Sequence, residues 1–550
     1  MDAAARKLRF AIMCETETVP AWAVDCVERL VASGYAELVL RIQETRSRAA
    51  KPRAPGALLH RLYAEHWLGR RSSALQRRDL RTELPGVEVL VCSVEEPSSC
   101  LHAKDVRALR ERGLDFILRL GAQPIAGDVL GVPRFGVWSY RHDREGVPCF
   151  WEVLESAPRT NTSLERVTPR VEDAVELCRG SFGTCKASWV NNVDRALGGS
   201  SDFCVRVCAE IAAGGGEGLV GRPAVPSNGS GDRAPTNPDM LRFLLQTGTQ
   251  SVRKVWELMF HMEVWNVGFT RQSVAQILES ARVDPAGVTW CKPHASGHFI
   301  ADPFAYQKDG VEHVLVEDYP QGGRGRICEL VQPGTEKHVE LAADLEEPHH
   351  LSYPFIFVEN GETYCVPEAY QSGRVDLYRR VNGAWRLEHN LIQGQPIVDP
   401  TLFKHEGLYW ILCTLQNDGA WGNLKLHAYY SERLDSGWKP HPLNPVKCDI
   451  GSSRPAGAPL VKDGKLYRPS QDCSETYGGA VVINHVAKLS PTEFEEIEVA
   501  RIEPLAQGPY PDGLHTVNPM AQGAVIDSKR FSFDPLAWRK NWGRRHEVFR

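Results

Sequence analysis

Val398-Asp399-Pro400-Thr401, then Glu406-Gly407, then Tyr409-Trp410-Ile411-Leu412: an extended start ending in proline, a glycine turn and a run of β-formers. The same phrase recurs at Ala301-Asp302-Pro303-Phe304, Tyr353-Pro354-Phe355 and Ser453-Arg454-Pro455-Ala456. Turns follow each copy at Asp309-Gly310, Asn360-Gly361 and Asp463-Gly464. Strands such as Val314-Leu315-Val316-Glu317 and Tyr364-Cys365-Val366-Pro367-Glu368 come next. A weaker fifth copy runs from Leu514-His515-Thr516 to Val525-Ile526-Asp527. The interval of about 50 residues is that of one four-stranded propeller blade. Five copies predict a five-bladed β-propeller in the C-terminal half.

In a propeller the innermost strand of every blade lines one axis, so equivalent positions converge. That register predicts Asp302, Tyr353, Asp399, Arg454 and His515 around one mouth of a central funnel, with Glu317, Glu368 and Gln471 beside them. Converging carboxyls raise one another's pKa, which separates a general acid from its partner base or nucleophile. Asp302, Glu368 and Asp399 are therefore the candidate catalytic acids. Tyr353, Arg454, Gln471 and His515 are the candidate substrate-binding groups. Asp-Pro is also ordinary turn chemistry, in which the carboxylate caps a local N–H and proline fixes the bend. The presence of three acids at matching places favours a site.

Charge and composition exclude other classes. The chain has 550 residues and a net charge of −5, which fits two or more domains and no nucleic-acid surface. Arg70-Arg71 and Arg77-Arg78 read as solvated helix faces. The fifteen cysteines show no CxxC and no metal spacing, so reduced thiols and a cytoplasmic protein are expected. No apolar run reaches membrane-span length. His349-His350 point apart on an extended segment, so no metal site is expected. Gly322-Gly323-Arg324-Gly325 is not followed by a helix and is no phosphate loop. Trp385, Trp410 and Trp438 read as blade packing.

Upstream, residues 8–200 alternate strand and helix patterns: Arg9-Phe10-Ala11-Ile12-Met13, a helix from Ala21 to Ser33 closed by Gly34, then Leu38-Val39-Leu40, Val87 to Val91 and Phe116 to Leu120. This predicts an α/β open sheet. Residues 201–285 read as a linker, Gly/Pro/Ser-rich from Gly214 to Asp239, with a bridging helix from Asn237 to Met262. The propeller is expected over 286–535.

Leu114-Asp115-Phe116-Ile117-Leu118, Gly121, Leu130, Pro133 and Gly136-Val137-Trp138-Ser139-Tyr140 resemble the core of the formyltransferase family, as do Phe150-Trp151-Glu152-Val153, Thr162-Ser163-Leu164 and Glu172-Asp173-Ala174. The resemblance covers roughly residues 8–200 and implies formyl transfer from 10-formyltetrahydrofolate to an amine. It puts Ser139 at the family's Asn position, Arg141 at its His position, and Glu172-Asp173-Ala174 at its Asp-x-Gly. The family's Ser-Leu-Leu-Pro loop is missing. Two readings stay open. Either His142 and Asp173 form a rebuilt acid–base pair with Ser139 as oxyanion donor and Arg141 on an anionic substrate, or the fold is kept without its catalysis.

The second half resembles the five-bladed propellers of family-43-type glycoside hydrolases, which use two Asp and one Glu around the axis. It is more similar to the propeller-like domain of glucosamine inositolphosphorylceramide transferases. Phe299-Ile300-Ala301-Asp302-Pro303-Phe304, His350-Leu351-Ser352-Tyr353-Pro354, Pro367-Glu368, Arg454-Pro455-Ala456-Gly457 and Tyr467-Arg468-Pro469-Ser470-Gln471-Asp472 carry that likeness. It implies carbohydrate handling, and in those transferases the glycosyl transfer belongs to a separate domain not found in this sequence. The expected function is a carbohydrate-directed transferase, moving a formyl or related acyl group to an amino sugar or sugar conjugate held by the propeller. The alternatives are glycoside hydrolysis or transglycosylation in the funnel, and a non-catalytic glycan-binding role.

Overall fold

The structure is a computed structural model describing residues 6–46, 56–95, 98–121, 123–142, 147–170, 173–214, 222–223, 234–292, 298–320, 323–331, 340–416 and 422–541. Most of the expected linker from Gly214 to Asp239, with Glu172 and Gly322, lies outside the described residues. The chain divides into two compact units, Met1–Ser251 and Val252–Arg550.

The first unit is built on a nine-stranded mixed sheet. Leu8–Cys14 lies at its centre, parallel to Ala36–Arg46 on one side and Phe116–Arg119 on the other. Phe116–Arg119 is buried along its whole length, as a strand covered on both faces must be. One face packs Ala11, Met13, Leu40, Ile42, Ile117 and Val137 into a core; on the other, Phe116 stacks on Trp138 with centroids 4.0 Å apart. The expected α/β open sheet is present. Its edge is antiparallel, because Arg159–Arg166 and Val175–Gly183 return as a hairpin.

The second unit consists of five sheets arranged as the repeat predicts. Four blades open on His298–Lys308, Ser352–Glu359, Ile397–His405 and a broken inner strand ending in Leu460–Lys462. The fifth corrects the expected boundaries. Gly513–Met520 and Gly523–Phe533 supply two of its strands, and His261–Thr270 and Val288–Trp290 supply the others. His261–Thr270 was expected within the 201–285 linker, but it pairs along its full length with Gly523–Phe533, from His261 opposite Phe533 to Thr270 opposite Ala524. The bridging helix therefore stops at Phe260. Phe203–Ala213, also placed in that linker, is a helix whose Phe203, Val207 and Cys208 are buried. Strands from distant parts of the chain thus complete one blade and join the first blade to the last.

Val267, on the closing strand, packs with Val525, Val314 and Val316. A chain beginning at Val252 is expected to unfold cooperatively in urea, followed by tryptophan fluorescence. One beginning at residue 286 should lose that transition, since two strands of the fifth blade are then missing; equal midpoints would show the closure to be dispensable.

Candidate functional site at the propeller axis

The repeated Xaa-Pro phrase has a backbone reason. Three of its four copies are β-bulges, the register between the inner strand and its partner slipping at Ala301/Phe304, Ser352/Phe355 and Val398/Thr401; the weaker fifth phrase slips likewise at Leu514/Thr516. At the bulge Asp302, Tyr353 and Asp399 take φ values of 49°, 43° and 50°. Side chains other than glycine rarely adopt this left-handed region, and a following proline narrows the choice further. Such strain costs about 1–3 kcal/mol per residue and survives only where the surroundings impose it.

The surroundings here are carboxylates from the neighbouring blade. Asp302 N donates to Asp527 Oδ2 at 2.8 Å, Tyr353 N to Asp302 Oδ2 at 3.2 Å, and Asp399 N to Glu368 Oε2 at 3.1 Å. The bulge turns each N–H out of its own ladder and toward an acid of the preceding blade. The acids thus fasten blade to blade and are gathered at the axis by the same bonds.

Around this ring the expected residues meet. Arg454 Nε and Nη2 reach Asp399 at 2.6 and 3.2 Å, and Nη2 lies 3.9 Å from Glu368. Gln471 Nε2 donates to Asp399 Oδ2 at 3.2 Å. His515 Nδ1 stands 3.0 Å from Asp527 Oδ2 and 3.1 Å from Asp302 Oδ1. Asp302, Glu368, Asp399, Gln471 and His515 are all buried. The convergence of the three acids, of Arg454 on Asp399, and of His515 on Asp302 follows the sequence register. Tyr353 differs. Its ring is wholly buried edge-on to Phe304, and its hydroxyl bonds Thr401 Oγ1 at 3.0 Å and Gly457 N at 2.9 Å. It ties the blades together, its hydroxyl engaged inside the protein.

Burial, with Glu368 and Asp302 beside it, pushes Asp399 above the usual carboxylate range, while Arg454 pulls it back. Three donors on its two oxygens decide the balance for the ionised pair. Burial opposes charge on His515, but the Tyr477 oxygen and the Asp527 and Asp302 carboxylates outweigh it and hold the imidazole well above its ordinary value. Burial, then the Asp302 and Glu368 carboxylates, push Glu317 far up.

Glu317 has a built environment. Gly325 N donates to His350 Nδ1 at 2.9 Å, which leaves His350 Nε2–H to face Glu317 Oε1 at 3.3 Å. A side chain at Gly325 would meet Glu317 Oε1 at 2.5 Å and His350 Cε1 at 2.6 Å, so the glycine is dictated by close approach. His349 has no part in this contact. Among the described residues one group has metal-ligand spacing, Asp302, His515 and Asp527, with ligand atoms within 4.8 Å. Its N···O distances of 3.0 and 3.1 Å are those of a shared N–H.

Sequence reasoning missed the supports. Asp527, in the fifth phrase, anchors Asp302. Arg468, fully buried, bonds Glu496 at 2.6 and 2.9 Å and donates to the Ser452 carbonyl at 2.6 Å, fixing the segment that presents Arg454. Burial opposes the charge on Glu496, yet Arg468 and Lys447 bring it down to about 2. Asn518 accepts from Ala458 N and donates to the Pro303 carbonyl, both at 2.8 Å. The tryptophans sit in the blades: Trp410 is buried, Trp385 donates to Asp344, and Trp438 donates to the Leu434 carbonyl.

The first unit does not assemble the expected pair. Both ring nitrogens of His142 are buried without a hydrogen bond, and its ring packs on Trp22 and Tyr140 at 4.6 and 5.4 Å. Asp173 is exposed, and among the described residues no hydrogen bond or ion pair joins the two. Arg141 pairs with Glu165 at 3.6 Å, and Ser139 lies opposite Glu165 in the sheet. His142 lies among aromatic rings, and among the described residues no acid bonds it. Burial lowers its pKa to about 4. Formyl transfer through His142 and Asp173 is corrected accordingly.

Residues 277–507 match the family described as "Glucosamine inositolphosphorylceramide transferase 1, N-terminal". Glucosamine inositolphosphorylceramide transferase 1 of Arabidopsis thaliana is 37% identical over 212 residues, 37% of this chain and 27% of that protein. Its counterpart in Oryza sativa subsp. japonica is 33% identical over 224 residues, 38% of this chain and 30% of that protein. The chain thus spans less than a third of the length of these curated relatives. Among solved structures, the exo-beta-1,3-galactanase 1,3Gal43A of Clostridium thermocellum aligns with a TM-score of 0.30 and 15% identity, over 43% of this chain and 53% of that one. The GH43_1 enzyme of Xanthomonas citri aligns with a TM-score of 0.30 and 14% identity, over 47% and 92%. The relatives are transferases by name, and the matched stretch lies within the propeller unit.

Replacing Arg454 by Met should cost about 3–5 kcal/mol in urea unfolding, because a buried carboxylate loses its cation. Adding Asp399→Asn should recover most of that loss; additive losses would show that the pair is not coupled. His142 gives a second expectation. Its folded pKa lies below the unfolded value of about 6.5, so the unfolded chain binds more protons between the two, and stability falls as pH drops from 6.5 toward 4. His142→Phe should flatten that part of the stability profile; an unchanged slope would place the titration elsewhere.

Proposed function

We propose that this protein is a carbohydrate-directed transferase component whose propeller mouth binds the amino-sugar part of a glycan or glycolipid substrate. One observation carries the reading: five carboxyl groups, Asp302, Glu317, Glu368, Asp399 and Asp527, share the axial region with Arg454 and His515. Arg454 is committed to Asp399 and His515 to Asp302 and Asp527, so acid remains in surplus. Asp302 Oδ1 is buried, and the one proton facing it, on His515 Nδ1 at 3.1 Å, is shared with Asp527 Oδ2. A protonated amine on a polyhydroxylated ring supplies the missing charge and donors. The relatives' name, which joins glucosamine to inositolphosphorylceramide, supports an amino sugar and a glycolipid as the substrate class. The finer expectation of a formyl group from 10-formyltetrahydrofolate has no assembled base in the first unit and is not carried further.

Glu317 favours a second reading. A carboxyl kept protonated by burial, near Asp302, is the arrangement for general-acid cleavage of a glycosidic bond. Turnover of an aryl glycoside by the full chain, lost in Glu317→Gln, would support it over binding alone.

The test is calorimetry of the full chain with glucosamine, N-acetylglucosamine and glucose. Glucosamine should bind at least about tenfold more tightly than the two neutral sugars, a difference of about 1.4 kcal/mol. Asp302→Asn should abolish that preference. Equal affinities for the three sugars, or no binding of glucosamine, would refute the reading.

A further inference from the structure

Tyr477 belongs to none of the repeated phrases. It follows the second strand of the fourth blade, Lys465–Asp472, and its hydroxyl reaches the axis from there. Its Oη lies 2.6 Å from His515 Nε2, and the Arg454 guanidinium sits over its ring at 4.8 Å. The loop is held from behind. Lys529, fully buried, donates to the Tyr477 carbonyl at 2.5 Å, to Thr476 Oγ1 at 2.8 Å and to Glu263 at 3.0 Å.

The direction of the bonds follows from counting donors. Asp527 takes Thr516 N and Oγ1 on Oδ1, and Asp302 N and His515 on Oδ2. Three donors independent of the histidine, Thr516 N, Thr516 Oγ1 and Asp302 N, hold Asp527 ionised, so His515 Nδ1 is the donor. The same Nδ1 also faces Asp302 Oδ1 at 3.1 Å. Two carboxylates on one side of an imidazole favour the cation, in which Nε2 carries a proton as well. That second proton points at Tyr477 Oη, and the phenol is left with its own O–H unspent. The groups facing His515 are Tyr477, Asp302, Asp527, Glu317, Cys473 and, one loop away, Lys529, with the Trp265 ring at 4.7 Å.

We propose that Tyr477 is a ligand-contacting residue of the funnel: His515, clamped between Asp302 and Asp527, donates to the phenol oxygen and so turns the phenol O–H toward an acceptor oxygen of a hydroxylated ring. The proposal rests on the carbohydrate reading above and adds the residue that orients the ring. Arg454, stacked on the phenol, limits the ring's rotation and keeps the hydroxyl near the acids. Tyr477 touches the ligand; His515 and Lys529 are positioning residues.

The test has two arms on the full chain. In the first, nitrogen NMR of histidine-labelled protein at pH 7 reads the His515 ring, assigned by its loss in His515→Gln. Both nitrogens should be protonated, and the Nε2 signal should move in Tyr477→Phe. An unprotonated Nε2 would overturn the proposal, because Tyr477 would then be spending its proton on the histidine. In the second arm, calorimetry with glucosamine compares wild type with Tyr477→Phe. The variant should bind about tenfold more weakly. Failure of wild type to bind glucosamine sinks the carbohydrate reading together with this inference. Equal affinity of wild type and Tyr477→Phe sinks the inference alone.

Discussion

The propeller depends on one kind of bond: a backbone N–H at a strained bulge donating to a carboxylate of the blade before it. Asp302, Tyr353 and Asp399 are each forced to positive φ directly ahead of a proline. Their N–H groups go to Asp527, Asp302 and Glu368. Without those acceptors the bulges would hold buried, unpaired donors in an unfavourable conformation. Without the bulges the acids would have no reason to face the axis. Architecture and candidate site are therefore the same set of bonds, and the acids cannot be read as purely structural or purely functional.

Charge at the axis follows from this construction. A ring of acids gathered for backbone donors brings together more carboxyls than two cations can pair, and burial raises the pKa of Glu317 among those left over. Arg454 answers part of it by clamping Asp399, and its own position is set by Arg468 through the Ser452 and Ser453 carbonyls. His515 answers another part. What is left over is a set of buried carboxyls with few donors, Asp302 Oδ1 having only a share of the His515 Nδ1–H.

The sequence made the blades legible because bulge geometry needs the same local chemistry each time, and Asp302-Pro303 and Asp399-Pro400 carry it openly. It also made Arg454 and His515 legible, since they stand at the same register. It did not show the closing strand His261–Thr270, whose partner lies more than 250 residues away and leaves no local mark. Tyr353 shares the register but not the outcome, because an aromatic ring at a bulge finds the core before it finds the funnel. Tyr477 and Lys529 were invisible, as they act from a loop and a second-layer strand that do not repeat. In the first unit the α/β open sheet followed from alternation. The surroundings of His142, set by Trp22 and Tyr140, depend on tertiary packing that leaves no local mark in the sequence.

The central claim is that the acid ring at the propeller axis is a binding site for an amine-bearing sugar. A crystal structure of the full chain soaked with glucosamine tests it most directly. The account predicts a sugar at the mouth, with its amine against Asp302 and its ring near Tyr477 and Arg454. Sugar found only on blade edges or on the first unit, with the axial mouth unchanged, would contradict it.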